Sequence, residues 1–204
     1  MKLYFFPGAC SLACHIALRE AGIEPQLEKV DGKTKKTESG GDYRAINGKA
    51  YVPTLELDNG QKITEAQVIL QYIADQNPAA KLAPVAGTPD RYRMLEWLNF
   101  IATEIHKNHG PLFKFAEKLP DASKQVFKDE IALRFDWLAK QLEGKQYLQG
   151  DAMTIADIYL FTVLNWPRYV GIDIAKWPTL KAYHQRMAGR PAVQAALKAE
   201  GLIK

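Results

Sequence analysis

Leu3-Tyr4-Phe5-Phe6-Pro7-Gly8-Ala9-Cys10-Ser11 is the stretch that decides the fold of this chain. Its apolar and aromatic opening reads as a short strand, which Pro7-Gly8 stops in a turn. Ser11 suits an N-cap, and the helical run it opens closes on Arg19-Glu20-Ala21-Gly22, with Gly22 fit for the left-handed position after a helix. Cys10 therefore falls at the junction of turn and helix, where backbone N–H groups favour a thiolate. A helix end contributes only about 0.3 to 1 kcal/mol. Lowering a thiol's pKa from about 8.5 to about 6.5 takes roughly 2.7 kcal/mol. A functional Cys10 thus calls for a second donor or cation nearby. The alternative is a small buried hydrophobe, the commonest state of a free cysteine. Cys14, one turn later and without free N–H donors, is expected to be a packing residue.

Working outward, Leu27 and Val30 stand among polar neighbours in a second strand over residues 26 to 30, and a polar loop follows from Asp31 to Gly41. Tyr51 to Leu57 reads as a third strand, Asn59-Gly60 as a two-residue hairpin turn, and Gln61 to Ile63 as the returning strand. Ala66 to Gln76 is helical, with apolar Val68, Ile69, Tyr72 and Ile73, and Asn77-Pro78 stops it. Residues 78 to 89 carry Pro78, Pro84, Pro89 and Gly87, a linker composition. Beyond it every pattern is helical: Asp90 to about Glu117, Ala122 to Leu142, Ile155 to about Trp166, Thr179 to Ala188 and Ala192 to Lys198. The expected organisation is an α/β domain over residues 1–80 and an all-α domain over residues 87–204.

Composition narrows the class. With 204 residues, 47% hydrophobic and 25% charged, the chain suits a soluble globular protein with a sizeable core. A net charge of +4 gives no reason to expect nucleic acid or an anionic membrane as partner. No apolar run approaches the roughly 20 residues of a bilayer span, and the N-terminal apolar stretch is too short for a signal peptide. Two cysteines build neither a disulfide framework nor a zinc site, so a reducing, cytoplasmic setting is expected.

Several residues carry candidate chemistry. Pro53, inside a strand-like run, marks either an edge strand or a cis bond that leaves the Val52 polar groups open to an extended peptide. Tyr92, Leu95, Leu98, Ile101 and Ile105 recur at helical spacing and are expected to face the core. Glu96, Asn99, Thr103 and His106 share another face, flanked by Trp97 and Phe100. That stripe is either solvated or, at His106, a donor to a thiolate or ligand. His15, His109 and His184 are expected in surface or packing roles. Lys33, Lys35 and Lys36 form a basic loop cluster, Glu65 is a cap carboxylate or an ammonium binder, and Thr154-Ile155-Ala156-Asp157 is a capping box that starts a core helix.

Together the segments Pro7-Gly8-Ala9-Cys10-Ser11-Leu12, Lys35-Lys36-Thr37, Val52-Pro53, Leu57-Asp58-Asn59-Gly60, Thr64-Glu65, Glu96 to Phe100, Glu104 to Lys107, Thr154 to Phe161 and Ala199 to Lys204 resemble the glutathione transferases, specifically the bacterial beta class. The resemblance covers essentially the whole chain. It implies a thioredoxin-like N-terminal domain, an all-α C-terminal domain and a homodimer, with glutathione as co-substrate and no metal. It also implies that Val52 pairs with the cysteinyl unit of glutathione beside a cis Pro53. Glu65 and Ala66 would hold the γ-glutamyl end and Lys35 the glycyl carboxylate. Cys10 would lie beside the glutathione sulfur, within reach of a mixed disulfide. Asn99, Thr103, Glu104, Ile105 and His106 would approach from the helical domain, with His106 as second catalytic group. Trp166 and Tyr169, at the end of a helix broken by Pro167, are expected either to line the electrophile side or to serve core or interface packing. The activity implied is conjugation of glutathione to apolar electrophiles. The alternatives are a thiol–disulfide reductase or dehalogenase acting through Cys10, and a non-catalytic carrier. Three residues depart from the class: Gly48 for Pro, Ala50 for Gly, and Ala66 for Gly or Ser. Altered glutathione affinity, not lost binding, is the expectation.

Overall fold

The computed structural model describes residues 1–204. The α/β part runs β1 (Lys2–Phe5), α1 (Ser11–Glu20), β2 (Gln26–Lys29), α2 (Tyr43–Ile46), β3 (Thr54–Glu56), β4 (Lys62–Thr64) and α3 (Ala66–Gln76). The sheet order is β2-β1-β3-β4, with β1 parallel to β2 and antiparallel to β3, and β4 antiparallel to β3. The register sets Leu3 opposite both Leu27 and Leu55, and Leu55 opposite Ile63. Leu3 and Leu55 are fully buried, as are Leu12 and Ile16 of α1 and Ile69 and Leu70 of α3. A second cluster gathers Tyr4, Val30 and Tyr43, with Val52 and Ile46 against it.

Two local expectations are corrected here. Ser11 is not the cap of α1. Cys10 occupies the N-cap, and the Ser11 hydroxyl turns back to the Phe6 N–H and carbonyl, both at 3.2 Å. A side chain bonded to Phe6, just past the end of β1, pins the turn rather than the helix. The hairpin is longer than two residues: the Leu57 N–H reaches the Gln61 carbonyl at 2.8 Å across residues 58 to 60, and Gly60 sits at φ +82. That is a three-residue loop with glycine at its left-handed position.

The helical part runs α4 (Pro89–Phe100), a π-helical turn (Ile101–His106), α5 (Lys107–Lys114), α6 (Asp121–Gln141), α7 (Ile155–Leu164) and α8 (Pro178–Ala188), with short 3-10 turns at Pro167–Val170 and Ile174–Lys176. Every residue of α7 is buried, as befits the central helix of a bundle. Its start is the expected capping box, and Asp157 is fully buried while accepting from the Leu148 N–H, the Thr154 N–H and the Tyr183 hydroxyl. The core face of α4 and the π turn is Met94, Leu98, Ile101 and Ile105. Tyr92 is 63% exposed, contrary to the expected stripe. At 100° per residue it lies about 120° around the helix from Leu98.

α9 (Pro191–Ala199) breaks the expected 87–204 boundary. The compact units are residues 1–83 with 189–204, and residues 84–188. Val193 and Ala196 are fully buried, and α9 lies against α1 within the first unit. Arg190 clamps Glu20 with two bonds of 2.7 and 2.9 Å. Helical periodicity predicts α9 but says nothing of which face of which unit it covers.

Candidate active site

Gly8, at φ +72, lets the chain turn sharply from β1 into α1 and deliver Cys10 to the helix start. Cys10 is half-buried, and its Sγ donates to the Val52 carbonyl at 3.6 Å. The Val52–Pro53 bond is cis, as the resemblance implies. The Val52 amide makes no hydrogen bond within the chain, so this half-buried segment keeps an open N–H beside the thiol. An open backbone N–H just before β3 fits a peptide ligand.

Glu65 bridges β4 and α3 in the left-handed region, at φ +70. Its Oε1 accepts from both Lys49 Nζ and the Tyr51 hydroxyl. Ala66 follows as the first residue of α3, where backbone N–H groups have no helical partner. Lys35 also adopts a left-handed backbone, φ +62, in a loop closed by the Tyr43 N–H to the Lys35 carbonyl. Its side chain makes no ion pair with the other site residues. Cys14 is wholly buried, burial pushes its thiol well up, and its Sγ donates to the Ala66 carbonyl at 3.7 Å. It ties α1 to the start of α3 and is a packing residue.

Sequence reasoning missed the support beneath Cys10. His15, fully buried, shares a 3.0 Å bond from Nδ1 with Glu200 Oε1, while the other Glu200 oxygen accepts the Gly8 N–H at 2.9 Å. On the far side Arg19 Nε donates to His15 Nε2 at 2.9 Å, and Arg19 in turn grips Glu24. The helical spacing of His15 and Arg19 was visible, but their link to residue 200 required the three-dimensional fold.

In the helical unit, His106 shares a 2.6 Å bond from Nδ1 with the Tyr159 hydroxyl and stands edge-on to Trp166, ring centroids 4.7 Å apart. His109 and Phe113 also stand edge-on to the same indole, ring centroids 5.7 and 5.9 Å away. Burial drives the His109 pKa down to about 4. Asn99 and Thr103 are exposed, though the Thr103 hydroxyl is bonded to the Asn99 carbonyl at 3.0 Å. Glu104 pairs with Arg134 at 2.8 Å. The Ile105 side chain is fully buried, leaving only its backbone for any ligand. Trp166 therefore joins His106, whereas Tyr169 is 62% exposed and pairs with Arg168 instead. No three His, Cys, Asp or Glu side chains converge in a metal-holding arrangement, and no helix is long and apolar enough to cross a membrane.

A thioredoxin-like unit with a cysteine at its first helix start and a cis X-Pro carbonyl beside the thiol, joined in one chain to an all-helical unit, defines the two-domain class of glutathione-handling proteins. The chain belongs to the glutathione S-transferase family: residues 8–76 match its N-terminal domain and residues 100–191 its C-terminal domain. It is 44% identical to glutathione S-transferase GstA of Escherichia coli O157:H7 over 202 residues, covering 99% of this chain and 100% of the relative. A sphingomonad glutathione S-transferase solved in complex with glutathione superposes with a TM-score of 0.94 at 49% identity, and 100% of each chain is covered. The beta-class glutathione S-transferase of Sphingomonas chungbukensis superposes at 0.95 with 47% identity, again over 100% of both chains.

Proposed function

We propose that this protein is a beta-class glutathione S-transferase that joins the glutathione thiolate to electrophilic, mostly apolar small molecules and works as a homodimer. The observation that carries the reading is the half-buried Cys10 thiol 3.6 Å from the Val52 carbonyl, next to an unpaired Val52 amide. In this reading glutathione lies extended, its cysteinyl unit paired with Val52 beside Pro53. Its γ-glutamyl end meets Glu65 and the Ala66 N–H, and its glycyl carboxylate meets Lys35. Asn99, Thr103, Glu104, the Ile105 backbone and His106 supply contacts from the helical unit. His106 acts as the second catalytic group in this reading, supported by the Tyr159 hydroxyl that fixes the orientation of its ring. Trp166 offers an aromatic wall to the electrophile. Holding the thiolate and electrophile together is the main catalytic device. As the S–C bond forms, the leaving group departs as an anion and the thiol proton passes to solvent.

The experiment is a spectrophotometric assay of glutathione conjugation to an activated aryl halide. Turnover saturable in glutathione is expected, and rates no greater than background across several electrophile classes would sink the reading. The half-exposed Cys10 also favours a second activity, disulfide exchange. There the Cys10 thiolate attacks oxidised glutathione, forming a mixed disulfide and releasing one glutathione thiolate.

A further inference from the structure

The strap Asn47-Gly48-Lys49-Ala50-Tyr51 presents two side chains to one carboxylate. Lys49 Nζ and the Tyr51 hydroxyl both engage Glu65 Oε1, on either side of Ala50 at φ +57. The strap is built rather than loose. Asn47, buried, accepts from the Lys49 N–H at 3.1 Å and donates to the Tyr51 carbonyl at 2.9 Å, and the Ala50 N–H bonds the Asn47 carbonyl at 2.8 Å. Lys49 is thus held within side-chain reach of the start of α3, yet its pair with Glu65 is 41% and 46% exposed. Ion pairs so open to water are weak and exchangeable.

We infer that the Lys49–Glu65 pair is a receptor for a zwitterionic α-amino-acid head group, in which Lys49 binds the α-carboxylate. The inference rests on the reading that Glu65 receives the γ-glutamyl end of the ligand. The ligand's ammonium replaces Lys49 on Glu65, and the released Lys49 turns to the ligand's α-carboxylate. Every charge that is paired before the exchange is paired after it, so binding leaves no uncompensated charge. Residue 66 is alanine and has no hydroxyl to offer that carboxylate, so Lys49 adds a cation to the backbone N–H groups at the start of α3. Lys49 Nζ also donates to the Thr64 hydroxyl at 2.8 Å.

The test is isothermal titration of the full chain with two peptides: glutathione, and 4-aminobutyryl-Cys-Gly, which keeps the amine but lacks the α-carboxylate. Lys49→Met is expected to weaken glutathione about fivefold, the size of an exposed ion pair, and to leave 4-aminobutyryl-Cys-Gly bound no more weakly than by the parent. Lys49→Arg restores glutathione binding. Equal losses for both peptides, or unchanged glutathione affinity in Lys49→Met, overturn the inference. A parent protein that binds neither peptide overturns the glutathione reading beneath it and the inference with it.

Discussion

Glu200 Oε1 and His15 Nδ1 lie 3.0 Å apart with both side chains fully withdrawn from solvent. Arg19 Nε can only donate, so its 2.9 Å bond to His15 Nε2 makes that nitrogen an acceptor and places the imidazole proton on Nδ1, directed at Glu200. The second Glu200 oxygen holds the Gly8 N–H two residues before Cys10. Replacing Glu200 by Ala strands a buried imidazole N–H and a backbone N–H together. The expected loss is about 3 kcal/mol of unfolding free energy, read from denaturant melts. A loss below 0.5 kcal/mol would show that water takes over both donors.

Ala50 adopts φ +57, a conformation that costs a side chain with a Cβ roughly 1–2 kcal/mol. Glycine relieves that cost but loses more backbone entropy on folding, about 0.5–1 kcal/mol. Ala50→Gly is therefore expected to stabilise the protein by about 0.5–1 kcal/mol. A lowered melting temperature would contradict this account.

His109 gives the fold an acid-sensitive point. Burial holds its folded pKa at about 4, against about 6.5 in an unfolded chain. Between those values the unfolded state binds the extra proton, so stability falls as pH drops from about 6.5 to about 4, by up to roughly 3 kcal/mol. Comparing parent and His109→Leu across that window isolates this residue from other titrating groups. The variant should lose that part of the slope, and parallel pH profiles would refute the assignment.

The Asp157 carboxylate serves four donors at once, the Leu148 and Thr154 N–H groups and the Thr154 and Tyr183 hydroxyls. Asp157→Ala leaves all four without a carboxylate and removes the N3 half of the α7 capping box. The expected cost is about 3–4 kcal/mol, near the upper end for a single substitution. Thermal unfolding measures it, and a shift no larger than that of an exposed N-cap variant would mean the network carries little.

Cys10 and Cys14 should differ in reactivity despite standing one turn apart. Intact mass spectrometry after incubation with oxidised glutathione is expected to show one glutathionyl adduct on the parent and on Cys14→Ala, and none on Cys10→Ala. Burial and the raised thiol pKa keep Cys14 protonated. An adduct that survives loss of Cys10 would transfer the reactive role to Cys14.

What could be read from the residues alone was what short range decides. Pro7-Gly8, Asn77-Pro78 and Thr154 to Asp157 set their own boundaries by fixed dihedrals, a missing donor and a reciprocal cap, and these appear where expected. Tyr92 falls off the core face of α4 because a long amphipathic pattern permits several faces and only packing selects one. Cys10 was legible as a helix-start thiol, whereas Tyr159 beneath His106 lies 53 residues away in sequence. Glu65 was legible as an acidic residue at a helix start, but Lys49 and Tyr51 reach it only because Ala50 turns left-handed, a conformation alanine does not announce.

The position of α9 sets an order of events during synthesis. Residues 1–83 leave the ribosome well before residues 189–204, which complete their unit, and the whole of 84–188 is translated in between. The nascent α/β portion thus carries an unfinished apolar flank on α1 while the helical portion is being made. Early collapse of that portion cannot yield its final packing until the closing segment arrives. Ribosome-arrested chains stopped before residue 189 should bind chaperones or be cleaved at α1, and chains released with α9 should not.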